Sequence, residues 1–77
     1  MKSDSINTYF FIGIGGVGMS ALARFCFHSG YKVYGHDKTR SDITSALTCE
    51  GIQIIFGDSL NALPKFLLSE DVKVVYS

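Results

Sequence analysis

The stretch TYFFIGIGGVG, residues 8–18, decides how this 77-residue chain folds. Its first part, Thr8–Ile12, is an unbroken run of aromatic and β-branched side chains, which is typical of a strand buried on both faces of a parallel sheet. Its second part spaces Gly13, Gly15 and Gly18 as GxGxxG. That spacing is typical of the turn between the first strand and first helix of a nucleotide-binding α/β fold.

Two helices are predicted downstream of the glycine pattern. The first runs from Val17 to a stop at Gly30, a residue suited to the left-handed position that ends many helices. Its apolar stripe at helical spacing consists of Met19, Leu22, Ala23 and Cys26, with Ser20 off the stripe. The second helix is capped by Ser41 or Asp42 and stops at Gly51. Its stripe consists of Ile43, Ala46 and Leu47.

Three further runs predict strands, namely Tyr31–Gly35, Ile52–Phe56 and Val72–Tyr76. Between the last two, Pro64 limits the stretch from Leu60 to Leu68 to one short helix at most. The resulting order β-α-β-α-β-(α)-β predicts the α/β class, as a single small domain with a Rossmann-like doubly wound parallel sheet and right-handed crossovers.

The predicted boundaries place a polar N-terminal tail at residues 1–8 and the Rossmann-like domain at residues 9–77. The sequence stops at Ser77, directly after a predicted strand. Parallel sheets are normally covered on both faces. We therefore expect the chain to be a segment of a longer protein, truncated at its C-terminal end.

The composition excludes several classes of protein. Seven Lys+Arg balance seven Asp+Glu, so there is no basic field to attract nucleic acid or anionic lipid. A hydrophobic content of 47% argues against disorder. No apolar run approaches the roughly 18 residues of a membrane span, and the polar opening MKSDS is not a signal peptide. We expect a cytoplasmic protein that binds neither nucleic acid nor membrane.

The residue types that most often carry catalysis or bind metal are sparse. Cys26 and Cys49 lie in no metal-binding spacing and are predicted to be buried or half-buried free thiols. His28 and His36 lack the spacing of a zinc site and are predicted to lie at the surface or at a helix end. No serine sits in a GxSxG turn, so the sequence predicts no catalytic residue and no metal site.

Each glycine of the loop has its own expected role. Gly13 permits the tight turn out of the strand, Gly15 with Gly16 lets an anion approach the backbone, and Gly18 lets the helix approach the sheet closely. The helix that follows presents unpaired N–H groups and the positive end of its dipole. A phosphate can therefore bind there without any lysine or arginine.

Asp37 follows the second predicted strand, 19 positions after Gly18, where an acid can accept hydrogen bonds from ribose hydroxyls. The residues thus predict a nucleoside diphosphate lying across the loop, and NAD is the default interpretation of the pattern. Three alternatives stay open on the residues alone. In the first, the chain is an NAD-binding domain of a dehydrogenase or nucleotide-gated regulator. In the second, it is an assembly module without a ligand. In the third, the glycines only make a tight turn and Asp37 is an ordinary surface acid.

A longer match lies around the same loop. The segment FIGIGGVGMSALA, residues 11–23, resembles the F-I-G-I-G-G-x-G-M-S-x-L-A pattern that opens the Mur ligases. Residues 30–37, GYKVYGHD, resemble the family's G-Y-x-V-x-G-S-D, with His36 where serine is usual. Further similarity at residues 41–44, Leu47, residues 51–52 and residues 72–77 extends the match over nearly the whole chain.

The resemblance implies a three-domain enzyme of peptidoglycan precursor synthesis, closest to the members that act on UDP-N-acetylmuramate and L-alanine. This chain would be its N-terminal domain, which holds the UDP end of that substrate. Central and C-terminal domains would bind ATP, Mg²⁺ and the amino acid, and would form an acyl phosphate that the amino acid attacks. The UDP-sugar-binding residues that the resemblance implies are Gly15, Gly16, Val17, Gly18, Met19, Ser20, Asp37, Ser41 and Thr44.

Two departures from the family pattern bear on the ligand. The family commonly has glycine-histidine after the third strand, where this chain has Gly57-Asp58, and His36 changes the wall expected beside the uridine. The chain contains no GxxxxGK[ST] motif and no Gly-Lys pair, so a Walker-type ATP site is absent from it. We therefore expect these residues to bind a substrate and not to catalyse alone, with no cofactor of their own.

Overall fold

The computed structural model describes residues 7–58 and 71–76. In chain order the elements are β1 (Thr8–Ile12), α1 (Val17–His28), β2 (Lys32–Asp37), α2 (Asp42–Glu50), β3 (Gln53–Phe56) and β4 (Val72–Val75). The short helix predicted between Leu60 and Leu68 lies outside the described residues. β1 begins at Thr8, which is one residue inside the stretch predicted as a tail.

The four strands form one parallel sheet in the order β3-β2-β1-β4. The chain moves outward from β1 through β2 to β3 and then returns to the other side of β1, as in a Rossmann-like sheet. The predicted α/β class is confirmed. On the central strand, Phe10 and Phe11 point to opposite faces, and both are at most 1% exposed. The prediction of a strand buried on both faces is confirmed as well.

Both helices pack against one face of the sheet. Their most buried side chains, Ala23 of α1 and Leu47 of α2, join Phe11 and Val33 of the sheet in one apolar cluster. Arg24 of α1 donates its Nε–H to the Glu50 carboxylate of α2, at 2.8 Å and 3.0 Å to the two oxygens. This ion pair is exposed, so it adds at most about 1 kcal/mol, and burial of the apolar cluster carries the packing.

The side of α1 that faces the sheet differs from the predicted stripe. Ser20 is 4% exposed and Leu22 is 45% exposed, so their expected places are exchanged. The buried residues of α1 are Ser20, Ala23 and Cys26, which are all small. Small side chains let the helix axis approach the sheet closely. The predicted stripe was based on hydropathy, which does not take side-chain size into account. On α2, Leu47 is buried as predicted, but the stripe missed Thr44, which is also buried.

The predicted ends of the helices are confirmed. Gly30 has φ +100° just after α1, and Gly51 has φ +112° at the end of α2, a left-handed conformation that glycine adopts without strain. Ser41 is the N-cap of α2 and forms a reciprocal capping box with Thr44. These signals are local in sequence, which explains why sequence reasoning found them.

Strand ends were predicted less well. β2 runs two residues beyond the predicted Gly35, because His36 pairs with Ile55 and Asp37 with Phe56 on the neighbouring β3. Asp37 is therefore the last residue of the strand rather than the first residue after it. At the start of β3, the Ile52 N–H donates to the Leu47 carbonyl of α2, and the strand begins one residue later, at Gln53.

The two cysteines lie in different environments. Cys26 is buried and Cys49 is exposed, so the prediction is confirmed for the first thiol and wrong for the second. Cys49 lies near the C-terminal end of α2, on the exposed side of the helix that faces away from the sheet.

We expect iodoacetamide at pH 8 to modify Cys49 at least about tenfold faster than Cys26 in the folded protein, because the thiolate is the reacting species. Burial raises the pKa of the Cys26 thiol and also blocks access to it. Peptide mass spectrometry after timed quenching measures both rates. In urea the two rates should converge; faster labelling of Cys26 in the native protein would contradict this assignment of burial.

Candidate functional site

The glycine loop folds back against the carboxyl end of β2. Gly13 has φ +80°, which confirms its expected role in the turn. The N–H groups of Gly13 and Ile14 both donate to the His36 carbonyl, at 2.8 Å and 3.1 Å. The Gly16 N–H donates to the Gly13 carbonyl at 3.0 Å, which closes the turn. The loop is thus held by main-chain bonds and lies where β1, β2 and β4 end together.

The start of α1 leaves three backbone donors free. Gly16 is the N-cap and supplies no side-chain cap, and the first turn contains no acidic residue. The Ser20 N–H donates to the Gly16 carbonyl at 2.8 Å, so the helical bonds begin there. The N–H groups of Val17, Gly18 and Met19 have no acceptor in the described part of the chain. Free N–H groups at the positive end of a helix are suited to bind an anion.

Asp37 binds the glycine loop directly. Its Oδ2 accepts a 2.8 Å hydrogen bond from the Gly15 N–H, and its Oδ1 accepts a 3.3 Å bond from the Thr39 N–H. The Gly15 N–H is therefore engaged inside the protein. A Cβ at Gly15 would lie 2.8 Å from Asp37 Oδ2 and 3.0 Å from Thr44 Cγ2. This crowding gives Gly15 a structural reason to be glycine that sequence reasoning did not foresee.

Gly16 and Gly18 differ from Gly15. A Cβ at Gly16 would make only ordinary contacts, the nearest being the Gly13 carbonyl oxygen at 3.5 Å. A Cβ at Gly18 would meet nothing within 4 Å. The expectation that Gly18 lets the helix approach the sheet is wrong, because this residue faces outward and the buried Ser20 and Ala23 make that approach.

The side chains of the remaining predicted site residues differ in exposure and in whether they already bond within the protein. Val17 is 79% exposed, and Met19 is partly buried against the core. The Ser20 hydroxyl donates to the Val17 carbonyl at 3.0 Å and is turned inward. The hydroxyls of Ser41 and Thr44 bond within their capping box, and Thr44 is 1% exposed. Direct contact of these hydroxyls with a ligand stays a prediction.

Two further residues shape the site: Gly35, which sequence reasoning missed, and His36, which it linked to the site only as a change in the wall beside the uridine. A Cβ at Gly35 would lie 2.8 Å from Ile14 Cβ, so this glycine makes room for the loop above the sheet. A glycine inside a strand is itself a signal of such close approach. His36 is 5% exposed, so the prediction that it lies at the surface is wrong. Its ring Nε2 lies 2.9 Å from the Gly57 carbonyl oxygen, a contact that no sequence spacing could reveal.

The described residues contain no group of three His, Cys, Asp or Glu side chains able to hold a metal ion. Neither α1 nor α2, the helices within these residues, is long and apolar enough to cross a membrane. What the geometry offers is an exposed row of backbone donors at α1, with an acid beside it at the end of β2. This arrangement lies at the carboxyl edge of a parallel sheet, next to the strand where the order reverses, which is the usual ligand position in such folds.

Comparisons with known proteins show the family to which the chain belongs. Over 77 residues the chain is 46% identical to a UDP-N-acetylmuramate--L-alanine ligase of Flavobacterium johnsoniae, covering all of this chain and 17% of the relative. A protein of the same name from Porphyromonas gingivalis is 49% identical over 69 residues, which are 88% of this chain and 15% of the relative. The chain thus spans less than a fifth of the length of these relatives. A family model described as "Mur ligase family, catalytic domain" matches residues 8–77, and the chain belongs to the Mur ligase family.

Proposed function

We propose that this chain is the part of an ATP-dependent UDP-N-acetylmuramate--L-alanine ligase that holds the UDP end of the substrate. The observation that carries the proposal is the row of three free N–H groups, from Val17 to Met19, at the start of α1. The printed names of the similar proteins support the choice of UDP-N-acetylmuramate. The function would belong to peptidoglycan precursor synthesis in the cytoplasm.

The diphosphate would accept hydrogen bonds from these three N–H groups. Each bond to a charged oxygen contributes about 1.5–3 kcal/mol, and the helix dipole about 0.3–1 kcal/mol more. Because Gly16 and Gly18 are exposed and carry no side chain, the anion can approach the backbone. No lysine or arginine is needed, which agrees with a chain of zero net charge.

The nucleoside would lie toward the end of β2. There the Asp37 Oδ2 accepts from the Gly15 N–H, and within the described part of the chain its Oδ1 accepts only the longer bond from the Thr39 N–H. Each carboxylate oxygen has two lone pairs, so Oδ1 has capacity for a ribose hydroxyl or a base N–H. Asp37 would thus shape the loop and contact the ligand at the same time.

ATP and Mg²⁺ do not fit the residues of this chain. The glycine loop has no lysine to contact a γ-phosphate, and the described residues offer no metal-binding group. The whole ligase would bind ATP and Mg²⁺ in its central domain and the amino acid in its C-terminal domain. On its own, this chain is expected to bind the substrate without forming the amide bond.

A thermal shift assay tests the proposal against an NAD-binding domain. UDP at about 100 times its Kd should stabilise the folded chain by about 2.7 kcal/mol, which raises Tm by about 10–20 °C in a domain of this size. UDP-N-acetylmuramate should act similarly, and NADH at the same concentration should leave Tm unchanged. A shift with NADH and none with either uridine nucleotide would overturn the ligase assignment.

A further inference from the structure

His36 is a buried polar residue whose ring reaches the turn after β3. It is 5% exposed and lies between Ile12 of β1 and Ile55 of β3 in the sheet register. Its ring Nε2 lies 2.9 Å from the carbonyl oxygen of Gly57. A carbonyl oxygen only accepts, so the imidazole carries a proton on Nε2 and donates it to Gly57.

Both backbone polar groups of Gly57 form hydrogen bonds with β2. It has φ +141°, and its N–H donates to the Asp37 carbonyl at 3.2 Å. Its own carbonyl accepts from the His36 ring. The turn that leaves β3 is therefore tied to the strand that ends in Asp37, and a side chain supplies one of the two ties.

The main chain of His36 serves the other side of the site. Its carbonyl accepts from the N–H groups of Gly13 and Ile14, which anchor the glycine loop. A substitution at position 36 keeps this carbonyl and removes only the ring bond to Gly57. Mutation of this one side chain can therefore test the turn after β3 separately from the glycine loop.

We propose that His36 is a positioning residue for the nucleoside end of the ligand, acting through the Gly57–Asp58 turn. In parallel α/β sheets the acid at the end of the second strand marks the nucleoside side of the site, and the Gly57 N–H is bonded to that same residue, Asp37. The His36 ring fixes how far the turn stands from Asp37. The inference rests on the proposed function, because it requires a nucleotide on the glycine loop.

The test compares UDP with inorganic pyrophosphate on three proteins. NMR titration of the Gly15–Met19 amides measures both affinities in the wild type, in His36→Gln and in His36→Leu. A glutamine amide nitrogen can occupy about the position of Nε2, whereas leucine fills the space without a donor. We expect His36→Leu to weaken UDP binding about tenfold, because a displaced turn would cost the nucleoside about one hydrogen bond, and to leave pyrophosphate binding unchanged. His36→Gln should restore most of the UDP affinity.

Each other outcome has a definite meaning. Equal weakening of UDP and pyrophosphate by His36→Leu would show a purely structural role and overturn the inference, as would unchanged UDP affinity. If the leucine variant does not fold, His36→Asn takes its place, because its amide is too short to reach Gly57. A wild-type protein that does not bind UDP would overturn the proposed function and this inference together, which distinguishes that failure from failure of the inference alone.

Discussion

Replacing Gly16 by valine is expected to lower the affinity for UDP by about 100-fold or more, because the side chain displaces the diphosphate from at least two charged hydrogen bonds. The backbone of Gly16, at φ −68° and ψ 154°, is one that any L-residue adopts. A Cβ there lies 3.5 Å from the Gly13 carbonyl oxygen and 3.8 Å from Met19 Cγ, both ordinary contacts. The backbone and the Cβ of the new side chain are therefore accommodated without strain, and the loss of affinity is expected to come from blocking the anion.

Two measurements are needed for this variant. Isothermal titration with UDP gives the loss of affinity, and thermal unfolding without ligand should give a stability within about 0.5 kcal/mol of the wild type, as for other surface changes. Gly16→Ala adds only the Cβ and should give an intermediate loss. If Gly16→Val folds normally and keeps its affinity for UDP, the diphosphate does not bind at this loop.

Replacing Gly35 by alanine is expected to destabilise the fold by about 1–3 kcal/mol, which lowers Tm by about 10 °C in a domain of this size. The new Cβ would lie 2.8 Å from Ile14 Cβ and 2.9 Å from Ile14 Cγ2. Ile14 is fully buried in the core, so it has no free space into which to move. The loop itself must shift, and UDP affinity should fall with stability.

Gly18→Ala is the matched control for this variant, since it makes the same chemical change. Its Cβ meets nothing within 4 Å, and alanine in a helix is more stable than glycine by about 0.5–1 kcal/mol. Gly18→Ala should therefore raise Tm where Gly35→Ala lowers it. Shortening the opposing side chain in Ile14→Ala plus Gly35→Ala should cost less than the sum of the single changes. Additive costs would show that Gly35 and Ile14 do not compete for space.

Sequence reasoning succeeded where the physical cause is local. The aromatic and β-branched run of β1, the caps at Ser41 and Gly51, and the turn at Gly13 each depend on a few consecutive residues. The glycine loop and Asp37, which the sequence assigned to one site, do lie in contact, although Asp37 ends the second strand instead of following it. The family was indicated by resemblance to the Mur ligase pattern, which extends from this stretch over nearly the whole chain.

Sequence reasoning failed where residues distant in the chain share one space. Ser20 and Leu22 were exchanged because the gap between α1 and the sheet selects small side chains. The hydrogen bond from the Gly15 N–H to Asp37, 22 residues away, was not foreseen. His36 was expected at the surface, yet its ring is buried and bonded to Gly57.

The amino-acid pattern alone specified the order of the strands and helices and the glycine turn, because periodicity and glycine spacing act over one or two turns of chain. Resemblance to the Mur ligase pattern indicated the family. The tertiary structure decided which acceptor each N–H group bonds to and which residues must be small to make room for a neighbour. Six residues take part in these contacts: Gly13 and Ile14 bond to the His36 carbonyl, Gly15 bonds to Asp37, and Gly35 lies beneath Ile14. These contacts depend on distances between strands, which no local pattern contains. Among the residues that the structure describes, the N–H groups from Val17 to Met19 are left without an acceptor.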